Sequence, residues 1–278
     1  MSEEWPKIAC LCPTYGRANL LLDAVACFLL QDYPGALELV VCNDSGISLR
    51  IGSAYEEGRA IKMINLADRF SNLGAKRQYL LSQTDAYIVT HWDDDDLYLP
   101  WHISNLHANL WAHEQQAKLY RRPAVLCVKP KLAWFMPMKT RCVFQMRGLH
   151  ANNFEGQMMF YRKAALSFGY SEKDSGQALD LMNRFDQLKA LMVPDLGNFS
   201  SYVYRWSGIG HVSRAGRDGF TALNRNMALE GDYYRKLDRK WAMERLLIIF
   251  HEMIRQQPEM AVLASWVREK EVCDAVNQ

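Results

Sequence analysis

The feature that most limits how this sequence can fold is an alternation of short apolar runs with helical segments that ends on four consecutive aspartates. Lys7 to Pro13 is a short apolar run stopped by proline, as expected of a strand buried on both faces. Arg17 to Gln31 places Leu20, Leu21, Ala24, Val25 and Phe28 at helical spacing, and Asp32-Tyr33-Pro34-Gly35 supplies a stop and a turn. Leu37 to Cys42 predicts a second strand that ends at the turn-forming Asn43-Asp44-Ser45-Gly46, and Ile61 to Leu66 predicts a third. Asn72 to Ser82 reads as a helix, and Ala86 to Trp92 as a fourth strand running straight into Asp93-Asp94-Asp95-Asp96. Such alternation implies an α/β fold with right-handed crossovers and a mostly parallel sheet, whose ligands bind outside the carboxyl ends of the strands. The aspartates sit at one of those ends.

After Pro100 the pattern loosens into a helix to about Gln116, proline-punctuated strand-like segments through Phe144, a segment from Gly156 to Arg162 and a helix near Gln177 to Ala190. A strand at Tyr202 to Trp206 leads into Ser207-Gly208-Ile209-Gly210-His211, and the remainder from Thr221 reads as helices broken at Pro258. The expected organisation is a domain over residues 1–220, made of a regular half at about 1–100 and a less regular half at about 101–220. A helical C-terminal extension, 221–278, would pack on it. A hydrophobic content of 49% and an aromatic content of 12% give this chain enough apolar surface to offset the entropy of ordering. The start has no basic stretch followed by an apolar one, and no run approaches the ~18 apolar residues of a membrane span, so a soluble cytoplasmic protein is expected. Seven scattered cysteines suggest reduced core thiols rather than a disulfide framework or a zinc site.

Four adjacent carboxylates are costly, since unit charges about 4 Å apart repel by ~1 kcal/mol even in water. A divalent cation would compensate them, and hard oxygen ligands favour Mg²⁺ or Mn²⁺. A solvated acidic turn is the plainer alternative, but the run follows a buried strand and is followed by Leu97-Tyr98-Leu99-Pro100.

Four motifs in order carry a resemblance. Pro13-Thr14-Tyr15-Gly16-Arg17, Asn43-Asp44-Ser45, Gly74-Ala75-Lys76-Arg77-Gln78 and His91-Trp92-Asp93-Asp94-Asp95-Asp96-Leu97-Tyr98-Leu99-Pro100 together resemble the family 2-type, GT-A-fold glycosyltransferases, from Lys7 to about His211. Glycine replaces the family's asparagine at position 16. The resemblance implies a nucleoside-diphosphate sugar as donor, held by Pro13, Thr14, Tyr15, Arg17, Asp44, Lys76, Arg77 and Asp94. It implies a metal on Asp93 and Asp95, with His211 completing its shell or touching the diphosphate. In inverting relatives an acidic pair supplies the general base, but Gly176-Gln177-Ala178-Leu179-Asp180-Leu181 has Gln177 and Ala178 at those positions. Asp180, or the upstream Glu172 or Asp174, would then act as base, or the enzyme would be retaining.

Between Glu114 and Glu155 there is no acidic residue, whereas Lys118, Arg121, Arg122, Lys129, Lys131, Lys139, Arg141 and Arg147 are interleaved with Trp134, Phe135 and Phe144. Arg121, Arg122, Lys129 and Lys131 are therefore expected to bind the acceptor. Arg235, Lys236, Arg239 and Lys240 would extend the same surface. Such a pattern suits a polyanion that presents flat rings, of which modified nucleic acid is one, as well as a phosphorylated or lipid-linked glycan. A nucleotide-sugar-binding module without catalysis is the alternative that Gln177 and Ala178 suggest. A nucleotidyltransferase would want a glycine-rich phosphate loop near the first strand, and Pro13-Thr14-Tyr15-Gly16-Arg17 is a poor one.

Overall fold

β1 (Ile8–Thr14) is buried along its whole length, because in the computed structural model it lies between two parallel neighbours, β2 (Leu37–Asn43) and β4 (Ile88–His91). The structure describes residues 5–51, 58–137, 143–146, 154–206, 238–257 and 260–276. Between these strands come α1 (Ala18–Leu29), β3 (Arg59–Asn65) and α2 (Leu73–Ser82), so the alternation expected over the first hundred residues is present. Beyond the aspartates the chain forms β5 (Leu97–Tyr98), α3 (His102–Leu119), β6 (Cys127–Val128), β7 (Ala133–Pro137), β8 (Phe144–Met146) and β9 (Met159–Tyr161). It continues as α4 (Arg162–Phe168), α5 (Gln177–Gln187), β10 (Leu191–Met192), β11 (Tyr202–Trp206), α6 (Arg239–Gln256) and α7 (Ala261–Val276).

The main sheet has seven strands in the order β10-β6-β9-β4-β1-β2-β3, and only β9 runs against its neighbours. β6 is therefore parallel to β4, and both point their carboxyl ends to the same edge. A smaller four-stranded sheet, β5-β11-β7-β8, stands at that edge and begins directly after the aspartates. The paired strand β5 is too short to show a period and went unseen in the sequence.

Helix α1 is buried on nearly every side, including Leu20, Leu21, Leu22, Val25 and Phe28. Such all-round burial needs a second covering layer. α6 provides it, with Arg245 Nε donating to Asp23 Oδ1 at 2.8 Å and Arg245 Nη2 to the Asn19 carbonyl at 3.0 Å. Asp238 caps α6 by accepting the Trp241 amide at 2.9 Å.

Two glycines in the motifs have steric reasons. Gly16 sits at φ +67°, in the left-handed region, which asparagine tolerates better than other side chains. Glycine here and asparagine in the relatives thus answer the same backbone requirement. At Gly74 a β-carbon would lie 1.9 Å from the Ser171 carbonyl oxygen, because the 171–173 segment crosses the first turn of α2 and Gly74 N donates to the Lys173 carbonyl at 3.0 Å. Gly74→Ala is therefore expected to cost about 1–3 kcal/mol through overpacking, a fall of several degrees in Tm. An unchanged melting curve would mean that this crossing is wrong.

Candidate active site

The carboxyl ends of β1, β2 and β4 open into a cavity of about 570 Å³. Asn43 closes the β2 end by accepting the Gly16 amide at 3.1 Å and donating to Asn65 at 2.9 Å, which fixes the loop carrying Thr14, Tyr15 and Arg17 beside Asp44. Asp44 is 3% exposed. Its Oδ1 accepts Lys76 Nζ at 2.5 Å and its Oδ2 accepts the Phe70 amide at 3.0 Å, while Lys76 Nζ also donates to the Thr14 carbonyl at 2.5 Å. Arg69 lies over the Tyr15 ring at 4.6 Å on the same side of the cavity.

The four aspartates, alike in sequence, divide into two kinds. Asp94 is buried, accepts Thr14 Oγ1 at 2.6 Å and forms an ion pair with Arg17. Asp96 is buried as well, accepting Tyr202 Oη at 2.5 Å and the Arg205 amide at 2.9 Å. Burial pushes the Asp94 carboxyl up to about 6, against the pull of Arg17, and raises that of Asp96 further. Asp93 and Asp95 instead face the cavity with side chains 22% and 20% exposed, and arginine engages one oxygen of each: Arg77 Nη2 to Asp93 Oδ1 at 2.7 Å, Arg17 Nη1 to Asp95 Oδ2 at 2.9 Å. The turn itself is pinned from beneath. Trp92 Nε1 donates to the Ala24 carbonyl at 3.0 Å, its ring stacks on Tyr98 at 3.8 Å, and Tyr98 Oη accepts the Asp93 amide at 2.6 Å.

This arrangement corrects the electrostatic argument made from sequence. Two buried arginines, together with Thr14 and Tyr202, already offset much of the charge assigned above to a cation. Lys76 and Arg77 likewise hold carboxylates rather than pointing free charge at a phosphate. Among the described residues no group of three or more His, Cys, Asp or Glu side chains is placed to hold a metal. His211 lies outside the described residues.

The remaining expected residues are scattered. Pro13 lines the cavity, and so does Asp174, whose Oδ1 accepts the Leu73 amide at 3.3 Å. Asp180 is turned to Ser171 Oγ at 2.5 Å and Lys173 Nζ at 2.7 Å and does not line the cavity. Gln177 and Ala178 do line it, so the two positions expected to carry acids face the cavity without one. Among the described residues the basic segment does not form one surface. Lys129 is 1% exposed, and burial lowers its pKa to about 8. Arg121 and Arg122 are exposed but precede β6, past the end of α3 where Glu114 meets Tyr161, at the edge of the sheet opposite the cavity. Lys131 is exposed after β6, while Lys139, Arg141, Arg147, Arg235 and Lys236 lie outside the described residues.

Sequence reasoning missed Glu155, Tyr202, Tyr204 and Arg205, all of which line the cavity. Glu155 had a signal, since it is the acid that ends the long acid-free interval.

A mostly parallel sheet with one reversed strand, an aspartate turn at its carboxyl edge and a small second sheet beside that turn define a GT-A-type glycosyltransferase fold. The sequence pattern of glycosyl transferase family 2 matches residues 10–168, a little over half of the chain, and the chain belongs to that family. Among solved structures, that of S. aureus TarS 1-349 in complex with UDP-GlcNAc is similar over 95% of this chain and 71% of that one, with a TM-score of 0.53 and 14% identity. The structure of the same TarS fragment in complex with UDP is similar over 87% of this chain and 70% of that one, with a TM-score of 0.50 and 15% identity. At these identities the likeness concerns the fold alone. No curated protein matches the chain. No described helix is long and apolar enough to cross a membrane.

Proposed function

We propose that this chain transfers a sugar from a nucleoside-diphosphate donor to an acceptor nucleophile, in a reaction dependent on a divalent cation. The observation that carries the reading is the single cavity in which Asp44 with Lys76 on one side and Asp93 with Asp95 at the centre are tied together through the Thr14–Arg17 loop. In this reading Pro13, Thr14, Tyr15, Asp44 and Arg69 frame the nucleoside, and Arg17, Lys76, Arg77 and Asp94 hold the frame in place.

The donor set fits Mg²⁺ or Mn²⁺. Asp93 and Asp95 are part-exposed to the cavity, and arginine engages only one oxygen of each. Mg²⁺ is commonly held by one or two carboxylates plus substrate phosphates, so a set of two is sufficient. A cation there would neutralise charge on the departing diphosphate. His211 stays with this proposal as a further ligand. Two Arg77 donors, Nε and Nη1, are buried without a partner, which leaves that guanidinium hydrogen-bonding capacity beyond Asp93.

The division into a donor half at about 1–100, an acceptor half at about 101–220 and a helical extension at 221–278 belongs to the same proposal. So does a cytoplasmic setting, with which Cys10, Cys12, Cys27, Cys42 and Cys127, all buried and free, agree.

Melting a panel of nucleotide sugars with the protein, with Mn²⁺ or Mg²⁺ and with chelator, tests the reading. UDP and UDP-GlcNAc are the first probes, because the TarS structures carry them. The correct donor raises Tm in proportion to its excess over Kd and is slowly hydrolysed. Stabilisation by no nucleotide sugar would sink the reading. Stabilisation without hydrolysis would favour the non-catalytic module that Gln177 and Ala178 suggest. Asp44→Asn is expected to weaken UDP binding by roughly 10-fold or more, the 1.5–3 kcal/mol of a hydrogen bond to a charged group, as read by calorimetry. Unchanged affinity would remove Asp44 from the nucleoside site.

For the acceptor the described surface favours rings over charge. Tyr204, Phe135 and Phe144 are directly paired across β11, β7 and β8, with ring centroids 5.8 and 5.0 Å apart, and Phe154 packs on Tyr204 at 5.1 Å. This row runs from the cavity to the half-exposed Phe144. An acceptor with stacking rings, a glycan or a nucleic acid, suits it. Phe135→Ala is expected to raise the acceptor KM by roughly 10-fold, at about 1–3 kcal/mol per stacked ring. Arg121→Glu with Arg122→Glu should leave turnover unchanged. A nucleic-acid acceptor would add a steep salt dependence, with a slope that counts its phosphates, and a neutral glycan almost none. Loss of activity in the arginine pair with none in Phe135→Ala would restore the basic surface as the acceptor site.

A further inference from the structure

Transfer to a hydroxyl requires that its proton leave as the new bond forms, so a base must stand inside the cavity beside the acceptor. The described carboxylates narrow the choice. Asp94 and Asp96 are buried under Arg17, Thr14 and Tyr202, and Asp93 and Asp95 are the residues assigned to the cation. Asp180 lies off the cavity, and its hydrogen bonds from Lys173 and Ser171 hold its pKa below the ordinary range, which makes it a weak base. Asp174 is at the rim, against the first turn of α2.

Glu155 stands on the wall that carries the aromatic row, directly after Phe154. Its backbone is held by a buried chain: His91 Nδ1 meets the Glu155 carbonyl at 2.7 Å and His91 Nε2 meets Tyr170 Oη at 2.6 Å. Its carboxylate makes no ion pair among the described residues, and the residue's own amide faces it. Among the described residues, the charged and titratable groups that act on it are Arg77 from α2, Lys129 after β6, Asp93 after β4 and Tyr204 on β11. Burial outweighs the two cations and pushes its carboxyl up to about 7. A base with such a pKa is half deprotonated near neutral pH and strong enough to accept a proton from a hydroxyl whose oxygen is forming a bond.

We propose that Glu155 is the general base of the transfer. Its carboxylate takes the proton of the acceptor hydroxyl as that oxygen bonds to the anomeric carbon of the donor, and the bond from that carbon to the diphosphate oxygen breaks, its electron pair leaving with the nucleoside diphosphate. A single displacement of this kind inverts the anomeric centre. The assignment rests on the transferase reading above. It takes the base from the 155–157 segment, which packs against α5, and so accounts for a transferase with no acid at Gln177 and Ala178.

The test uses the whole chain with Mn²⁺ and a panel of UDP-, GDP- and dTDP-sugars, water serving as acceptor. Glu155→Gln is expected to lower kcat for hydrolysis by ~10²-fold or more, with the affinity for UDP plus Mn²⁺ unchanged by calorimetry. The wild-type rate rises with pH through about 7 and this limb is absent in E155Q. Glu155→Asp recovers part of the rate. A reading of stability is independent of turnover. A carboxyl raised in the folded state binds more protons there than in the unfolded chain, so stability falls as pH rises from its ordinary value towards 7. E155Q is thus expected to melt at or above the wild type at pH 8, and the two curves to converge at pH 5. Hydrolysis undiminished in E155Q, or lost in parallel with UDP affinity, overturns the assignment. Loss in Asp174→Asn with none in E155Q moves the base to Asp174. Retention of configuration in the product also overturns it. If the wild type turns over no sugar nucleotide at any pH, the transferase reading fails and this proposal falls with it.

Discussion

Asp95→Asn is expected to reduce donor turnover by about 10³-fold, the several kcal/mol that a cation contributes to stabilising developing charge, while Tm stays within a few degrees of the wild type. Both halves of this result come from the position of the side chain. Asp95 is part-exposed in the cavity, and its partner Arg17 keeps Asp94 as a second carboxylate when Asp95 loses its charge. The fold therefore has little reason to change. Asp93→Asn is a less clean experiment, because it removes the carboxylate that faces the buried Arg77 and so costs stability as well as activity. Turnover should be measured with and without chelator. If chelator silences the wild type and Asp95→Asn keeps its full rate, Asp95 is not a ligand. If neither change matters, the aspartate turn serves the fold alone.

Much of the fold could be read from residue order. β1 is a continuous apolar run because both its faces are covered, and β2 ends where Asn43 turns the chain, so period and punctuation located both. β5 and β6, with two residues each, have no period to read, yet β5 joins the aspartate turn to the second sheet and β6 carries the main sheet beyond β9. The site was legible to the extent that it is local. Asp44 and Lys76 stand in recognisable motifs, yet nothing in those motifs says that they bond to each other across 32 positions. The four aspartates are chemically identical, and what separates Asp94 and Asp96 from Asp93 and Asp95 is burial against Thr14, Tyr202 and the Arg205 amide, none of them near in sequence. Charge pattern misled most. Lys129 and Arg121 belong to one basic stretch, but β6 runs between them, so one is buried at the cavity edge of the sheet and the other exposed at the far edge. A strand carries its two ends to opposite sides of a domain, and composition is blind to this.

The second large effect is on folding. Arg17→Met is expected to destabilise the chain by about 3–5 kcal/mol, the cost of leaving a buried charge without its partner. Arg17 is 6% exposed, and its guanidinium is shared between Asp94, which has no solvent access to fall back on, and Asp95. Thr14 alone would then donate to Asp94. Taken against a typical total stability of 5–15 kcal/mol, that is a large fraction, and it corresponds to a Tm lower by roughly 10 °C. Arg17→Lys should recover little, since an ammonium is a point charge and cannot bridge two carboxylates as a planar fork does. The partner change supplies the control. Arg17→Met with Asp94→Asn removes both buried charges, and because an apolar or neutral replacement of a whole buried pair is often neither gain nor loss, the double variant should melt well above Arg17→Met alone. A double-mutant cycle near zero would show that Arg17 and Asp94 do not act on each other. In that event the turn would have to be held by Tyr98, Tyr202 and Arg205, and the loop after β1 would contribute nothing to holding the aspartates.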